Sequence, residues 1–387
     1  MSKTEEQLPE TEEPLTEQDE AEREKYDNSK RKTRSWWIKT ILLLLLVVLS
    51  VVMLFTLGDY ISGEETKQLS VSELFATIDY PLLALLLGVI VLYITVESGK
   101  YAYMLKVYTG KFRFKIALKT MFLGKYYDGI TPLSTGGQPF QMYYLHKKKV
   151  PRGAANAVPI LRYLVSSFFI TALAIVLLIL TPRFVEQSTV NLTVLIISWV
   201  SLVINVLAPL TVALFSIFPN ISRRVIVGVV GLLAKLRIVK NKEKTSEKFV
   251  RELTEYSAAV RMFMKELYKF IPLLVLCAME CLLFVTIPFF VVIAIANVPP
   301  TVELAVQIAC LVIISRYTAL LIPTPGNTGA LEAASSIVFV TVTGINAVIG
   351  WVILVWRFFT YYVYILTGIG INIFEIIRSA IRTRREK

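Results

Sequence analysis

The sequence predicts an all-α fold, a polytopic bundle of membrane helices with about seven long spans and two oppositely oriented broken segments. Hydrophobic residues make up 55% of the chain, and the mean hydropathy is +0.62. Several apolar runs approach the ~20 residues that span a bilayer. Pro/Gly stretches at 131–137 and 323–329 interrupt two of these runs. Because broken backbone at membrane depth must line protein or water, the pattern indicates a path through the membrane and argues against a soluble enzyme.

The charge distribution agrees with a membrane protein rather than a nucleic-acid-binding one. The net charge is +12, yet residues 1–29 hold eleven acidic and three basic residues. We therefore expect residues 1–34 to form a disordered acidic tail, while the basic remainder supplies the positive flanks typical of membrane helices. The three cysteines fall inside apolar runs without CxxC spacing. They are expected to be small core residues, and no disulfide framework, metal site or cofactor is predicted.

Loop charges predict the orientation of the first two helices, near 37–57 and 81–98. The loop at 58–79 is mostly acidic, whereas 100–119 carries six lysines and arginines. The positive-inside rule then places the first loop outside and the second in the cytoplasm. We expect a multi-pass protein of a plasma membrane, of bacterial type, with both termini in the cytoplasm.

The first broken segment, 120–145, is predicted to enter and leave the membrane on the cytoplasmic face, because basic stretches flank it on both sides. Helices near 154–181 and 190–218 follow. Residues 220–270 are then basic and amphipathic, which predicts cytoplasmic or interfacial helices. Apolar residues at steps of three and four in the second half of that stretch favour packing against the protein's own helices over a partner coiled coil.

The second broken segment is predicted to enter from the outer face. A helix near 271–296 exits outward, and residues 303–322 run back in as far as the break at 323–329. An apolar run continues to residue 340, and a last helix begins near 347 and ends in a basic cytoplasmic stretch. Since that helix must begin outside, the second break enters and leaves on the side opposite to the first.

Together these elements bound a transmembrane domain at 35–380, followed by a basic tail at 381–387. Two breaks entered from opposite faces suggest an inverted repeat, the arrangement that transporters use to build a site near the bilayer midplane. The local spacing gives weak support, because aligning the two breaks on the two features they share requires registers that differ by two residues. Both breaks contain Pro-x-x-x-Gly, and the Lys-Tyr pair at 125–126 upstream of the first resembles the Arg-Tyr pair at 316–317 upstream of the second.

Two motifs resemble a known family. STGGQPFQMYYL together with PTPGNTGALEAA, about 190 residues apart, resembles the lysylphosphatidylglycerol synthase transmembrane-region family, also called flippase-like integral membrane proteins. The family's second motif reads Pro-Gly-Gly-x-Gly-x-x-Glu, and this chain keeps Pro325, Gly326, Gly329 and Glu332 but has Asn327 at the second glycine. Asn preserves the backbone path if the position requires a positive φ, because Asn tolerates that region better than most residues.

The resemblance implies a lipid-translocating domain over roughly residues 35–380. In full-length synthases such a domain precedes a large soluble domain that moves lysine from lysyl-tRNA to phosphatidylglycerol. No comparable soluble stretch follows the last helix, so we expect the translocating half. The family name would otherwise imply a phosphatidylglycerol lysyltransferase, with lysylphosphatidylglycerol synthesis and resistance to cationic antimicrobial peptides.

Residue types at the two breaks suit a phosphate headgroup, which needs cationic side chains and unpaired backbone N–H donors. Glycines permit tight turns that present such donors, and proline suits the first turn of the helix that follows. The carboxylate of the second motif could meet an amine headgroup or an arginine, or it could simply complement the helix dipole. We expect these breaks to contribute the following residues to the headgroup path: Gly136, Gly137, Gln138, Pro139, Gln141, Pro325, Gly326, Gly329 and Glu332.

Four charges lie deep in apolar segments and are further candidates: Arg162, Glu280, Arg316 and Arg357. Each costs on the order of 2.5–3.5 kcal/mol at a helix centre, so they should face one another or a wet cavity. The alternative is a fixed buried pair between Glu280 and one arginine. Three arginines against one central acid leave positive charge over, which an anionic lipid phosphate would neutralise.

Three residues before the first break, Lys125, Tyr126 and Asp128, are weaker candidates, because a Lys/Tyr pair is also a common interfacial anchor. His146 is the only histidine, and it lies beside three lysines. It is expected at a solvated cytoplasmic end.

The sequence therefore predicts a translocase for a phosphate-bearing lipid, working through a polar, arginine-lined groove. A membrane enzyme acting on lipid in the same cavity and a scaffold acting through the cytoplasmic helix are the alternatives. The lipid stays open among phosphatidylglycerol, its aminoacyl ester, a glycolipid and a polyprenyl phosphate. A homo-oligomer also stays open, and nucleic acid is not an expected partner.

Overall fold

The computed structural model describes residues 52, 69–132, 134–185, 192–235, 242–343 and 348–385. Within these ranges the regular secondary structure is helical, and β structure is limited to one isolated bridge. The prediction of an all-α fold is confirmed. The predicted acidic tail lies outside the described residues, as does the first predicted helix except for Val52.

The described ranges hold thirteen α-helices, numbered here in chain order. They are α1 Val71–Thr77, α2 Tyr80–Thr109, α3 Phe114–Ile130, α4 Gly137–Lys147, α5 Arg152–Phe184, α6 Leu192–Ile217, α7 Pro219–Lys235, α8 Lys242–Lys265, α9 Ile271–Ala296, α10 Val302–Leu320, α11 Ala330–Thr343, α12 Ile349–Arg357 and α13 Val363–Arg385. The 3₁₀ turn Leu267–Phe270 leads into α9, and the π-helical turn Phe358–Tyr362 joins α12 to α13.

Six helical segments in the described ranges are long and apolar enough to cross a membrane. They are Tyr80–Thr109, Arg152–Phe184, Leu192–Thr211, Leu267–Ala296, Val302–Leu320 and Ile349–Arg378. Large apolar side chains on them face outward, as with Phe168 at 70% exposure and Val91 at 63%. Lipid rather than water is the solvent that such surfaces require. The chain is therefore a multi-pass helical membrane protein.

Most predicted helices have counterparts, but the second one was placed too short. Helix α9 coincides with the predicted helix at 271–296, whereas α2 continues well past residue 98 and ends at Gly110, whose φ of 70° forms a left-handed cap. Lys100, assigned from sequence to a basic loop, is instead fully buried inside α2. The actual loop covers only 110–113. The helix tolerates this lysine because carboxylates surround it, as described below.

Each predicted break is the tip of a helical hairpin. Helices α3 and α4 form the first hairpin, and α10 and α11 form the second. At the open end of the first hairpin, Lys119 and Lys148 both pair with Glu375 of α13, with Nζ–Oε1 distances of 3.6 and 2.8 Å. Both arms therefore return to the same stretch of α13, which agrees with a re-entrant segment that enters and leaves on one side.

Helix α8, which carries most of the predicted amphipathic stripe, packs against α5 and α6. The rings of Phe263 and Phe270, near the end of that stripe, lie edge to face with centroids 4.9 Å apart. Phe270 is completely buried, and Phe263 contributes to the wall of a cavity between the helices. The connection between α6 and α9 is therefore part of the helix bundle.

Candidate functional site

The tip of the first hairpin is held by its own side chains. The Gly137 N–H donates to Asp128 Oδ1 at 2.8 Å, and the Gly136 N–H donates to Thr131 Oγ1 at 2.9 Å. A Cβ on Gly137 would overlap the Asp128 carboxylate. The backbone donors that the sequence suggested for a headgroup thus already have acceptors in this structure. Asp128 and Gly137 act together to form the turn.

The tip of the second hairpin has the left-handed backbone that its motif requires. Gly326, Asn327 and Gly329 have φ values of 59°, 54° and 85°. Asn327 therefore stands at a positive-φ position, so its replacement of the family's usual glycine preserves the backbone path. The Gly329 N–H donates to Glu332 Oε2 at 2.8 Å, which is the counterpart of the Gly137–Asp128 bond in the first tip.

Arg357 is tied to this second tip. Its Nε donates to Glu332 Oε1 at 2.8 Å, its Nη2 lies 3.5 Å from the Gly326 carbonyl oxygen, and its guanidinium lies 4.4 Å from the centre of the Tyr361 ring. Glu332 is fully buried and Arg357 is 4% exposed. Among the predicted buried charges, Arg357 and Glu332 thus form a fixed pair that holds the turn.

The two tips touch each other. Pro132 and Pro325 pair in an isolated antiparallel β-bridge, and the Tyr361 hydroxyl donates to the Gly129 carbonyl oxygen at 3.0 Å. Tyr361 belongs to the π-helical turn that follows Arg357. π-Helical turns occur frequently at functional sites, and here the turn brings one tyrosine onto both tips. We call this contact the tip seam.

A polar cavity of about 180 Å³ lies beside the first arms of both hairpins. Lys125 of α3 and Arg316 of α10, one to two turns before their tips, line it together with Arg162 of α5 and Glu280 of α9. The remaining lining residues are uncharged: Tyr93, Tyr163, Ser166, Ser167, Ile170, Cys281 and Phe284. Four of the predicted charged residues therefore meet in one cavity.

The Lys-Tyr and Arg-Tyr pairs noted in the sequence occupy equivalent places. Lys125 and Arg316 both line the polar cavity, whereas their neighbours Tyr126 and Tyr317 are 2% and 1% exposed. Each pair ends the first arm of its hairpin. This correspondence, with the paired tips, is what an inverted repeat would produce.

Two residues that sequence reasoning missed complete the charge cluster. Lys100 forms ion pairs with both Glu97 and Glu280, and it donates to Ser166 Oγ at 3.1 Å. Glu97 also accepts from Arg162 Nη1 at 3.2 Å and lies 3.7 Å from Lys125 Nζ. The signal that could have found them is their i, i+3 spacing within an apolar run, which places an acid and a base on one helix face.

The cluster carries more positive than negative formal charge. Four cations, Lys100, Lys125, Arg162 and Arg316, face two carboxylates, Glu97 and Glu280, which leaves +2. In the described part of the chain Arg316 has no carboxylate partner, and its guanidinium stacks 5.2 Å from the centre of the Phe284 ring. The buried Nε of Arg162 also finds no acceptor among the described residues. An anionic ligand would supply both.

The other predicted residues either contact a neighbour of the cavity or lie outside its lining. Gln141 donates to the Tyr101 hydroxyl at 2.7 Å, and the Tyr101 ring lies 5.1 Å from the Arg162 guanidinium, so Gln141 positions Arg162 through Tyr101. Gln138 and Pro139 lie in the first turn of α4, with Pro139 exposed. His146 contacts Asn156, away from the cavity lining.

A second cavity of about 600 Å³ adjoins the polar one. It lies between α5, α6, α8 and α9 and opens to the outer surface of the bundle at Phe168 and Ile175, and its walls, which include Phe263, are almost entirely apolar. Ser167 of α5 belongs to the walls of both cavities. A small charged cavity thus adjoins a larger apolar one, as the polar headgroup of a lipid adjoins its apolar tail.

Comparison with known protein families gives a match that covers most of the chain. The family model described as "Lysylphosphatidylglycerol synthase TM region" matches residues 41–368. No curated protein and no solved structure matches the chain. The match includes both hairpins, both tips and every residue of the charge cluster.

Proposed function

Because the chain belongs to the lysylphosphatidylglycerol synthase transmembrane-region family, we propose that it is a lipid translocase that moves a phosphate-bearing headgroup between bilayer leaflets through the polar cavity. The observation that carries the proposal is the +2 formal charge of a cluster enclosed among membrane helices. Uncompensated charge is costly at such a place and usually marks a substrate path. A lipid phosphate removes that cost when it binds.

The cavity chemistry fits a phosphate because it combines guanidinium, ammonium and hydroxyl donors. Arg162 and Arg316 approach from different helices, and an arginine can bind two phosphate oxygens at once. Lys125 adds a mobile point charge, with its side chain 33% exposed. Lys125, Arg162 and Arg316 lie on three helices and would together bind a phosphate at the centre of the bundle. None of the three is the sole partner of a carboxylate.

The tip seam supplies an element that could separate the two leaflets. Among the described residues the tips meet at the Pro132–Pro325 bridge and where Gly326 approaches the Gly129 carbonyl, and Tyr361 of the π-helical turn donates to that carbonyl. Parting the tips would open the polar cavity along the hairpins while the Arg357–Glu332 pair keeps the second turn intact. In this scheme the seam is the gate and the charge cluster is the headgroup site.

The test is reconstitution of the purified chain in liposomes that contain an acyl-chain-labelled phospholipid, so that the label leaves the headgroup unchanged. A translocase exposes inner-leaflet label to a membrane-impermeant quencher and leaves the lipid chemically unchanged on extraction. The family name also raises phosphatidylglycerol lysyltransfer, which would instead produce a lysylated lipid when lysyl-tRNA is supplied. Protein-free and protein-containing liposomes with the same quenching kinetics would contradict the proposal.

A further inference from the structure

We propose that the polar cavity selects lipids whose headgroup is a terminal phosphomonoester, bound as a dianion, over phosphodiester and aminoacylated headgroups. The inference rests on the proposed function, because it names the substrate class of the same site. Three features of the described residues carry it: the charge balance of the cluster, the size of the polar cavity and the apolar cavity that adjoins it.

The charge balance matches a dianion. The cluster of Lys100, Lys125, Arg162 and Arg316 with Glu97 and Glu280 has a formal charge of +2. A phosphomonoester carries close to −2 above its second pKa, near 6, and brings the cluster to zero. A phosphodiester carries −1 and leaves one buried cation uncompensated. An aminoacylated headgroup brings an ammonium into a cavity that already has excess positive charge, and like charges at this distance repel.

The nearest further charge is Asp128, which lowers the positive potential of the cluster through electrostatic interaction with Arg162 and Lys125. Asp128 is absent from the cavity lining and forms no ion pair with the cluster among the described residues, and its carboxylate accepts the Gly137 N–H. The two tyrosines of the lining, Tyr93 and Tyr163, bring hydroxyl groups rather than charge. Among the described lining residues, Arg316 has no carboxylate partner and the Nε of Arg162 has no acceptor, so both are cationic groups available to a ligand.

The cavity volume favours a small headgroup. About 180 Å³ is below the ~300 Å³ at the lower end of ordinary small-molecule pockets, so a phosphoryl group fits with little attached beyond it. A glycerol or lysyl-glycerol group beyond the phosphate exceeds this volume and would have to extend out of the cavity or displace side chains of its lining. A headgroup that ends at the phosphate needs no such rearrangement.

The adjoining apolar cavity indicates a lipid rather than free phosphate as the source of the monoester. Ser167 is shared by both walls, so a phosphate in the polar cavity has an apolar compartment of about 600 Å³ next to it. An acyl chain attached to the phosphate can pack against these apolar walls. Free phosphate would gain nothing from this compartment.

The test compares short-chain phosphatidic acid, a monoester, with phosphatidylglycerol of identical chains, a diester. Binding to the full-length protein in neutral detergent is measured by isothermal titration calorimetry at pH 8 and pH 5. At pH 8 we expect phosphatidic acid to bind at least about tenfold more tightly. At pH 5 the advantage should fall to about twofold, because the monoester gains a proton near pH 6 and becomes a monoanion. The diester does not titrate in this range and reports any change in the protein's own groups, chiefly Asp128, Glu97, Glu280, Lys100 and Lys125.

Two further measurements distinguish a lipid from free phosphate as the ligand and test whether Arg316 belongs to the binding site. Inorganic phosphate should bind at least about a hundredfold more weakly than phosphatidic acid, and equal binding of the two would overturn the lipid source. Arg316→Gln should remove most of the monoester preference, whereas Arg183→Gln should keep it, because Arg183 is exposed at the end of α5, outside both cavity linings. A pH-independent preference, or equal affinities at pH 8, would overturn the inference.

Binding and transport are measured separately, so the two proposals can fail independently. A monoester preference without translocation in liposomes contradicts the translocase and leaves the binding class standing. Translocation of a phosphodiester with no monoester preference contradicts the binding class and leaves the translocase standing.

Discussion

Lys100→Met tests whether the charge cluster holds the bundle together. Lys100 and Glu97 are fully buried, and the Glu280 side chain is 14% exposed, so the ammonium sits between two carboxylates with almost no access to solvent. Methionine keeps the unbranched shape but removes the charge. Glu97 and Glu280 would then face each other across a buried space with only Arg162 and Lys125 nearby.

The expected loss is set by the cost of leaving buried charge without its partner. Removing one member of a buried ion pair typically costs about 3–5 kcal/mol, against about 0.5 kcal/mol for an exposed surface change. Lys106→Met is the matched control, since Lys106 is exposed on the same helix. The double change Lys100→Met with Glu280→Gln removes one charge of each sign, and we expect it to recover about half of the loss.

The measurement is the free energy of unfolding in mixed micelles of detergent and dodecyl sulfate. Lys100→Met should lower it by about 3–5 kcal/mol and Lys106→Met by less than about 0.5 kcal/mol. Equal losses in the two variants would refute the assignment of Lys100 to a buried cluster. So would a double variant that is no more stable than Lys100→Met alone.

Two further predictions concern the hairpin tips and use the same unfolding measurement. Asn327→Val should destabilise the protein by about 1–3 kcal/mol because a β-branched residue does not tolerate a φ of 54°, while Asn327→Gly should be neutral or stabilising; the opposite order would contradict the left-handed turn. Gly137→Ala should destabilise and slow translocation, because its Cβ overlaps the Asp128 carboxylate, whereas Gly153→Ala, with open space around it, should do neither. If the two alanine variants behave alike, the close approach of Asp128 is not needed.

The backbone breaks could be predicted from sequence because proline removes a helix hydrogen bond and glycine adopts backbone conformations that other residues rarely reach. The tips lie where the motifs placed them, and Asn327 has the positive φ that its place in the motif required. The boundary of α2 could not be predicted by the same rules. A lysine after a long apolar run looks like a loop flank, and only three-dimensional proximity to Glu97 and Glu280 allows Lys100 inside a helix.

The sequence also did not predict which buried charges form pairs with each other. Arg162, Arg316 and Arg357 look alike in the sequence, since each is one arginine in an apolar segment. The structure separates them because Arg357 meets Glu332, 25 residues away, at the second tip, while Arg162 and Arg316 meet across the polar cavity. Such long-range partners depend on helix packing, which residue spacing does not encode.

The most direct test of the central claim is the translocation rate of Arg316→Gln in liposomes, with Arg183→Gln as the matched control. Arg316 lines the polar cavity without a carboxylate partner among the described residues, so its loss removes ligand charge without orphaning an acid. We predict at least a tenfold slower exchange of labelled phospholipid for Arg316→Gln, with unchanged unfolding free energy, and a normal rate for Arg183→Gln. Wild-type exchange by folded Arg316→Gln protein would contradict the account.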